Sequence, residues 1–176
     1  ERAYYDKKWA FVSDYFRFQL LLQHGGIYLD TDMELLKPLD DLLYSPGFSG
    51  YNQEADYIYC GIIGSTPGHP FIKDILDAYD RLHIGEYPTS PEMMTNAYKR
   101  NSEIDFQIYP ASYFYPLQAS EKLTQKKIEH AYATHHWDES WRTFVPLRRF
   151  LRRIYIIPVY HFIKRTYENI RCYPNR

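Results

Sequence analysis

From Trp9 to Gln23 the chain reads WAFVSDYFRFQLLLQ, with apolar residues on most faces of a 3.6-residue repeat, which predicts a largely buried helix. Gly25-Gly26 closes it, because glycine takes the left-handed conformation that lets the last helical carbonyls be capped. Ile27-Tyr28-Leu29 follows as a short buried strand with Asp30-Thr31-Asp32 at its end, and Met33 to Leu36 extends it until Pro38. Asp40 to Gly50 reads as a short helix and turn, and Tyr57 to Gly64, YIYCGIIG, as a second strand. Thr66-Pro67-Gly68-His69-Pro70 punctuates the chain before helical spacing at Phe71, Ile75, Leu76, Tyr79 and Leu82. Pro91 to Arg100 is a further helix with proline in its first turn, and Ile104 to Tyr109 alternates as a strand. Lys122 to Tyr132 takes no assignment. Strands alternating with helices predict an α/β domain with a mainly parallel central sheet.

A chain of 176 residues, 45% hydrophobic and 24% charged, is long enough for one globular domain and excludes disorder and coiled coil. Nineteen tyrosines offer flat contact surface for sugars or bases, but the same side chain fills a core with its hydroxyl reaching water. Cys60 and Cys172 form neither a disulfide framework nor a Cys-x-x-Cys zinc signature, and a reducing, cytoplasmic location is expected. The longest apolar run, Ile154 to Ile163, is interrupted by Pro158 and His161 and falls short of the roughly twenty residues that span a bilayer.

The net charge of -1 hides an asymmetry. Of 21 basic and 22 acidic residues, nine basic and one acidic lie from Arg142 onward, so the first 141 residues carry twelve basic and twenty-one acidic. An acidic body is not the basic groove of a nucleic-acid binder and suits a cation-using site instead. The tail interleaves Arg148, Arg149, Arg152 and Arg153 with Phe150, Leu151, Ile154 and Tyr155. That pattern fits a basic amphipathic helix over 147–165 lying on an anionic membrane surface, or equally a terminal helix packed on the domain.

Asp30-x-Asp32 after a strand is the chemical centre of the sequence. Side chains two apart on an extended backbone share a face, so both carboxylates project from the carboxyl end of the strand, where open α/β sheets bind ligands. Two hard oxygen donors suit magnesium or manganese bridging to phosphate. On the preceding helix Ala10, Asp14, Arg17 and Leu21 form one stripe, placing an acid and a base beside apolar residues. They read either as an intrahelical ion pair or as groups reaching a metal-held ligand, the acid accepting from hydroxyls and the base forking onto oxygens.

Ser13-Asp14-x-x-Arg17 followed by Gly25-Gly26-Ile27-Tyr28-Leu29-Asp30-x-Asp32 resembles the signature of DxD sugar-nucleotide glycosyltransferases, in particular glycosyltransferase family 32, and the core motif of glucosylating clostridial toxins. The resemblance continues through Cys60-Gly61-Ile62-Ile63-Gly64-Ser65-x-x-Gly68-His69-Pro70, Thr89-x-Pro91-x-x-x-Thr95, Phe114-Tyr115-Pro116 and His135-His136-Trp137-x-x-Ser140-Trp141, with Ser90 where the family usually has Gly. It implies a GT-A-like glycosyltransferase fold over 1–146, followed by the tail at 147–176. The strand and helix that precede the Ser-Asp-x-x-Arg helix in the family have no counterpart, so the reading is that the N-terminal nucleotide-binding part is missing.

Carried over residue by residue, the resemblance implies that Asp30 and Asp32 bind Mn2+ or Mg2+ with His136 as a further ligand, the imidazole favouring manganese. It places Asp14, Arg17 and Tyr28 at the donor sugar and closes Ser140 and Trp141 over the diphosphate, with Asp30, Asp32 and Arg17 carrying catalysis. The implied activity is retaining transfer of a sugar from a nucleoside-diphosphate sugar, UDP favoured over GDP, to a saccharide or lipid-linked acceptor in polysaccharide or capsule biosynthesis at the inner membrane face. Two alternatives stand beside it: a metal-dependent phosphoesterase, which would need further acids such as Glu34, Asp40 or Asp41 near Asp30, and an inactive truncated binding module.

Overall fold

The computed structural model describes residues 2–83, 85–101, 103–117 and 128–137. They lie in a compact unit, Glu1–Trp137; the second unit, Asp138–Arg176, including Ser140, Trp141 and the basic tail, lies outside the described residues. Among the described residues no helix is long and apolar enough to cross a membrane.

Helix α1 (Arg2–Tyr5) leads into α2 (Trp9–His24), which ends where Gly25, at φ 65°, donates its N–H to Leu21 O at 2.8 Å. A side chain at Gly25 would meet Ser65 O at 2.8 Å and the Pro67 ring at 2.6 Å, so both the conformation and the space demand glycine. Contrary to the expectation of a largely buried helix, α2 buries one stripe, Asp14, Arg17, Phe18 and Leu21, and leaves Trp9, Phe16 and Leu20 more than half exposed.

Strand β1 (Gly26–Leu29) is followed by β2 (Met33–Leu35), a 3-10 turn at Asp40–Leu42, β3 (Gly47–Tyr51) and β4 (Ile58–Ser65). Helices α3 (Pro70–Asp80) and α4 (Ser90–Arg100), strand β5 (Gln107–Tyr109), helix α5 (Ala111–Phe114) and strand β6 (Ala133–His135) complete the order. Helices α3 and α4 start as their sequences require. His69 Nδ1 accepts Phe71 N–H ahead of α3, and Thr89 Oγ1 accepts Glu92 N–H ahead of α4, each with proline in the first turn.

The main sheet has the order β1-β4-β3-β5, with β1/β4 and β4/β3 antiparallel and only β3/β5 parallel; β2 and β6 form a separate antiparallel pair. This corrects the expectation of a mainly parallel sheet. A parallel connection needs a crossover of about a dozen residues or more. Only Asn52 to Tyr57 separate β3 from β4, so that pair closes as a hairpin, whereas α3 and α4 form the crossover that returns β5 parallel to β3. Strand β3 begins within the stretch read as helix and turn and runs one residue past it, and β2 leaves the sheet rather than extending β1.

One core cluster joins α2, α3 and α4 to the sheet through Phe18, Ile63, Phe71, Ile75 and Met94. The other joins α5 and β6 to the sheet through Phe48, Ile62, Phe114 and Tyr115. Each fully buried Ile or Phe contributes about 1.5–3 kcal/mol of transfer free energy. Strand β4 lies between the clusters and carries the irregularity on which the site is built.

Candidate active site

Phe48 pairs with Gly64 and Gly50 with Tyr59, so Cys60 to Ile63 of β4 bulge opposite Ser49 alone. Ser49 Oγ shares its hydroxyl between Tyr59 O at 2.7 Å and Ile62 O at 2.9 Å, closing the gap. At the bulge Cys60 O accepts a side-chain hydrogen bond, with Arg17 Nη1 donating at 2.8 Å. The Cys60 thiol is fully buried, which pushes its pKa up to about 12.

Arg17 is the hub of this region. Its Nη2 lies 2.8 Å from Asp14 Oδ1, its Nη1 3.4 Å from Asp30 Oδ1, and its guanidinium carbon 4.6 Å from the Tyr28 ring centroid. Burial opposes the guanidinium charge, and Asp14 and Asp30 outweigh it, leaving the pKa above its ordinary value. Burial pushes the Asp14 carboxyl up, opposed by Arg17 and by Ser90, whose Oγ donates at 2.9 Å and whose N–H donates at 3.2 Å. Ser90, the residue that departs from the glycine of the resembled element, is therefore the one that caps Asp14. Arg17 Nε is buried with no hydrogen-bond partner.

Asp30 and Asp32 converge by a different geometry from the one expected. Strand β1 ends at Leu29, and Asp30 to Met33 form a turn closed by Met33 N–H to Asp30 O at 3.0 Å. Asp30 N–H donates to Gly61 O at 2.8 Å, and its Oδ1 accepts the Tyr28 hydroxyl at 2.7 Å. Burial raises the Tyr28 pKa, so its hydroxyl stays protonated and remains a donor.

On the neighbouring β2/β6 pair, Met33 faces His135, and His135 Nε2 lies 3.1 Å from Asp32 Oδ1. Asp30, Asp32 and His135 each offer a ligand atom within 4.8 Å of the others, a set able to hold a divalent cation. Burial lowers the His135 pKa, with Asp32 and Asp30 opposing, so the imidazole is neutral at physiological pH and keeps a lone pair for a metal. His136, the histidine expected as ligand, follows β6 and turns instead to Glu34, whose Oε2 its Nε2 meets at 2.8 Å. Adjacent residues of an extended chain face opposite ways, so His135, the last residue of β6, and not the His136 that follows it, reaches the aspartates.

Of the expected site residues, Asp14, Arg17, Tyr28, Asp30 and Asp32 are thus joined by direct contacts or by the shared cation-sized cluster, while Ser140 and Trp141 lie outside the described residues. Sequence reasoning missed Ser49, Ser90 and Tyr115 as parts of the framework, although Ser90 and Tyr115 lie inside quoted motif segments. A cavity of about 740 Å³ lined by Tyr4, Phe11, Tyr15 and Tyr87 opens on a different face of α2 and holds none of these groups.

Residues 2–48, which include α2 and the Asp30-Thr31-Asp32 turn, match a family described as the glycosyltransferase sugar-binding region containing the DXD motif. An uncharacterized glycosyltransferase of Acanthamoeba polyphaga mimivirus is 28% identical over 169 residues, 87% of this chain and 67% of that protein. The human alpha-1,4-N-acetylglucosaminyltransferase is 25% identical over 158 residues, 76% of this chain and 44% of that protein. Inositol phosphoceramide mannosyltransferase 1 of Schizosaccharomyces pombe is 30% identical over 76 residues, 42% of this chain and 24% of that protein. The chain thus spans from about a quarter to two thirds of the length of these relatives. Together with the Asp-Asp-His cluster, these low-identity similarities support a glycosyltransferase of the DXD type.

Proposed function

We propose that this chain carries the donor-sugar and metal-binding part of a glycosyltransferase that moves a sugar from a nucleoside-diphosphate sugar to a saccharide or lipid-linked acceptor. The observation that carries the reading is the meeting of Asp30, Asp32 and His135 beside the buried Arg17–Asp14 pair. Two carboxylates and a neutral imidazole fit Mn2+ or Mg2+, and the nitrogen donor favours manganese. When bound, the cation neutralises charge developing on the departing diphosphate.

The chain's own groups prepare the site for that step. Arg17 and the Tyr28 hydroxyl hold Asp30 Oδ1 from behind, which fixes the direction in which the second oxygen of that carboxylate points. Asp14 and Arg17 place an acid and a cation at the donor sugar, and Tyr28 supplies an aromatic wall. Ser140 and Trp141 complete the diphosphate side in this reading. Transfer with retention, UDP ahead of GDP as the donor nucleotide, kinship with glycosyltransferase family 32 and the clostridial toxins, and a place in polysaccharide or capsule biosynthesis are the finer parts of the proposal. So is contact of residues 147–165 with the inner face of the membrane, supported by the run of arginines among apolar residues.

The phosphoesterase alternative is not favoured. Glu34 is paired with His136 on the far face of β2, and the Asp41 carboxylate accepts the Tyr132 hydroxyl at 3.3 Å, so neither adds to the Asp30–Asp32 set. A thermal-shift panel of UDP-sugars and GDP-sugars with and without Mn2+, on the wild type and Asp32→Asn, tests the reading. A manganese-dependent shift absent from the variant is expected; equal shifts in both proteins refute it. Binding to anionic vesicles that survives deletion of 147–176 would remove the membrane contact.

A further inference from the structure

Two consecutive peptide units of the β4 bulge are each held on both sides. In the first, Cys60 O accepts Arg17 Nη1 at 2.8 Å while Gly61 N–H donates to the Tyr115 hydroxyl at 3.1 Å. In the second, Gly61 O accepts Asp30 N–H at 2.8 Å while Ile62 N–H donates to the same hydroxyl at 3.3 Å. Because C=O and N–H point in opposite directions across a trans peptide, a group that holds the two N–H vectors also aims the two carbonyls. One carbonyl grips Arg17 and the other grips the backbone of Asp30.

We propose that Tyr115 is a positioning residue for Asp30 and Arg17, acting through the Cys60–Gly61 and Gly61–Ile62 peptides. The inference rests on the proposed role of Asp30 as a metal ligand. Tyr115 is suited to the task because it cannot wander. It is 1% exposed, its carbonyl accepts Gln53 Nε2 at 3.1 Å, and its ring meets Tyr59 edge-on at 5.2 Å. Burial holds its pKa well above the ordinary value, so the oxygen remains a neutral hydroxyl across the physiological range. Gly61 is the complementary adaptation, since a Cβ there would stand 3.2 Å from the Tyr115 oxygen and 3.3 Å from Met33 Sδ. Ser49 closes the bulge from β3 through Tyr59 O and Ile62 O and touches neither N–H, so the N–H side of these two peptides is held by the Tyr115 hydroxyl.

The test compares Tyr115→Phe with Phe114→Leu, a neighbouring core change that leaves both peptides held. Mn2+ affinity is read by the electron paramagnetic resonance of free Mn2+, and backbone order by amide hydrogen exchange. In Tyr115→Phe the Mn2+ dissociation constant is expected to rise about tenfold, the range for loss of a group that supports a metal ligand. The Asp30 amide is expected to exchange about tenfold faster relative to amides of α3. Phe114→Leu should lower the melting temperature and change neither readout. If Tyr115→Phe does not fold, Gly61→Ala, whose Cβ at 3.2 Å presses on the Tyr115 oxygen, is expected to speed exchange of the Asp30 amide, the readout that its 3.4 Å contact with His135 leaves interpretable. The proposal is overturned if the folded variant matches Phe114→Leu in both readouts. A wild-type chain that binds no Mn2+ defeats the metal reading of Asp30, whereas positioning is then decided by Asp30 amide exchange alone.

Discussion

Replacing Arg17 by methionine removes the guanidinium while keeping most of the apolar volume of its stem. Its side chain and that of Asp14 retain 8% and 13% of their exposure, so the pair sits largely out of water. The variant loses the 2.8 Å contact with Asp14, the 2.8 Å bond to Cys60 O and the 3.4 Å contact with Asp30. Removing one partner of a buried ion pair costs about 3–5 kcal/mol because it strands the other charge. The two Ser90 donors stay on Asp14 and offset part of that, while the orphaned Cys60 carbonyl adds to it. The expected loss at neutral pH is about 3–4 kcal/mol, near the lower half of that range. With a urea dependence of about 2 kcal/mol per molar, the unfolding midpoint falls by about 1.5–2 M.

The same variant has a defined pH signature. Burial already raises the Asp14 pKa, and loss of Arg17 removes the largest opposing influence. A carboxyl whose folded pKa exceeds its unfolded value contributes stability that is present below the unfolded value and lost as pH rises through the folded one. The deficit of Arg17→Met relative to wild type is therefore largest at neutral pH and shrinks as pH falls through the raised Asp14 pKa, where the carboxyl becomes neutral and no stranded charge remains. Urea unfolding at a series of pH values measures it. A loss below about 1 kcal/mol, the scale of an exposed ion pair, or a deficit that widens on acidification would refute the account of Arg17 as a buried hub.

Further outcomes are open to measurement. In a Cys172→Ser background, Cys60 should resist iodoacetamide at pH 8 in the native chain and react on unfolding, because its thiol is buried with a pKa pushed up to about 12; rapid native labelling would contradict the buried bulge. His135 has a folded pKa below its unfolded one, so its contribution to stability is present above about pH 6.5 and is lost as pH falls through the folded value. His135→Gln should flatten that part of the stability profile in metal-free buffer, and an unchanged slope would contradict it. Gly64→Ala places a Cβ 2.1 Å from the Phe48 ring and should destabilise by about 1–3 kcal/mol through overpacking, read as a lowered melting temperature.

The local elements of the site were legible in the sequence because their signals are local. Helix α2, its glycine stop, the short strand β1 and the acidic turn occupy consecutive residues, and so do the capped starts of α3 and α4. Strand β3 was not, because Gly47 and Gly50 leave room for Phe106 and Phe114 from distant segments, and so its sequence lacks the alternation that marks a strand. Strand direction escaped the βα pattern because the short link between β3 and β4 forces a hairpin whatever the helices suggest.

The sequence by itself determined which residues carry the chemistry: Asp14 and Arg17 on one helical stripe, Asp30 and Asp32 one residue apart, and a histidine pair later in the chain. Only the tertiary structure decided how they are used. It turned His135 inwards and His136 outwards through the register of β2 with β6, and it aimed the carbonyls of Cys60 and Gly61 at Arg17 and Asp30 through a bulge held by Tyr115. Periodicity along a chain reports which face a residue shares with its near neighbours. The partner waiting on that face comes from pairings tens of residues away, set by packing and hydrogen-bond geometry that no local pattern encodes.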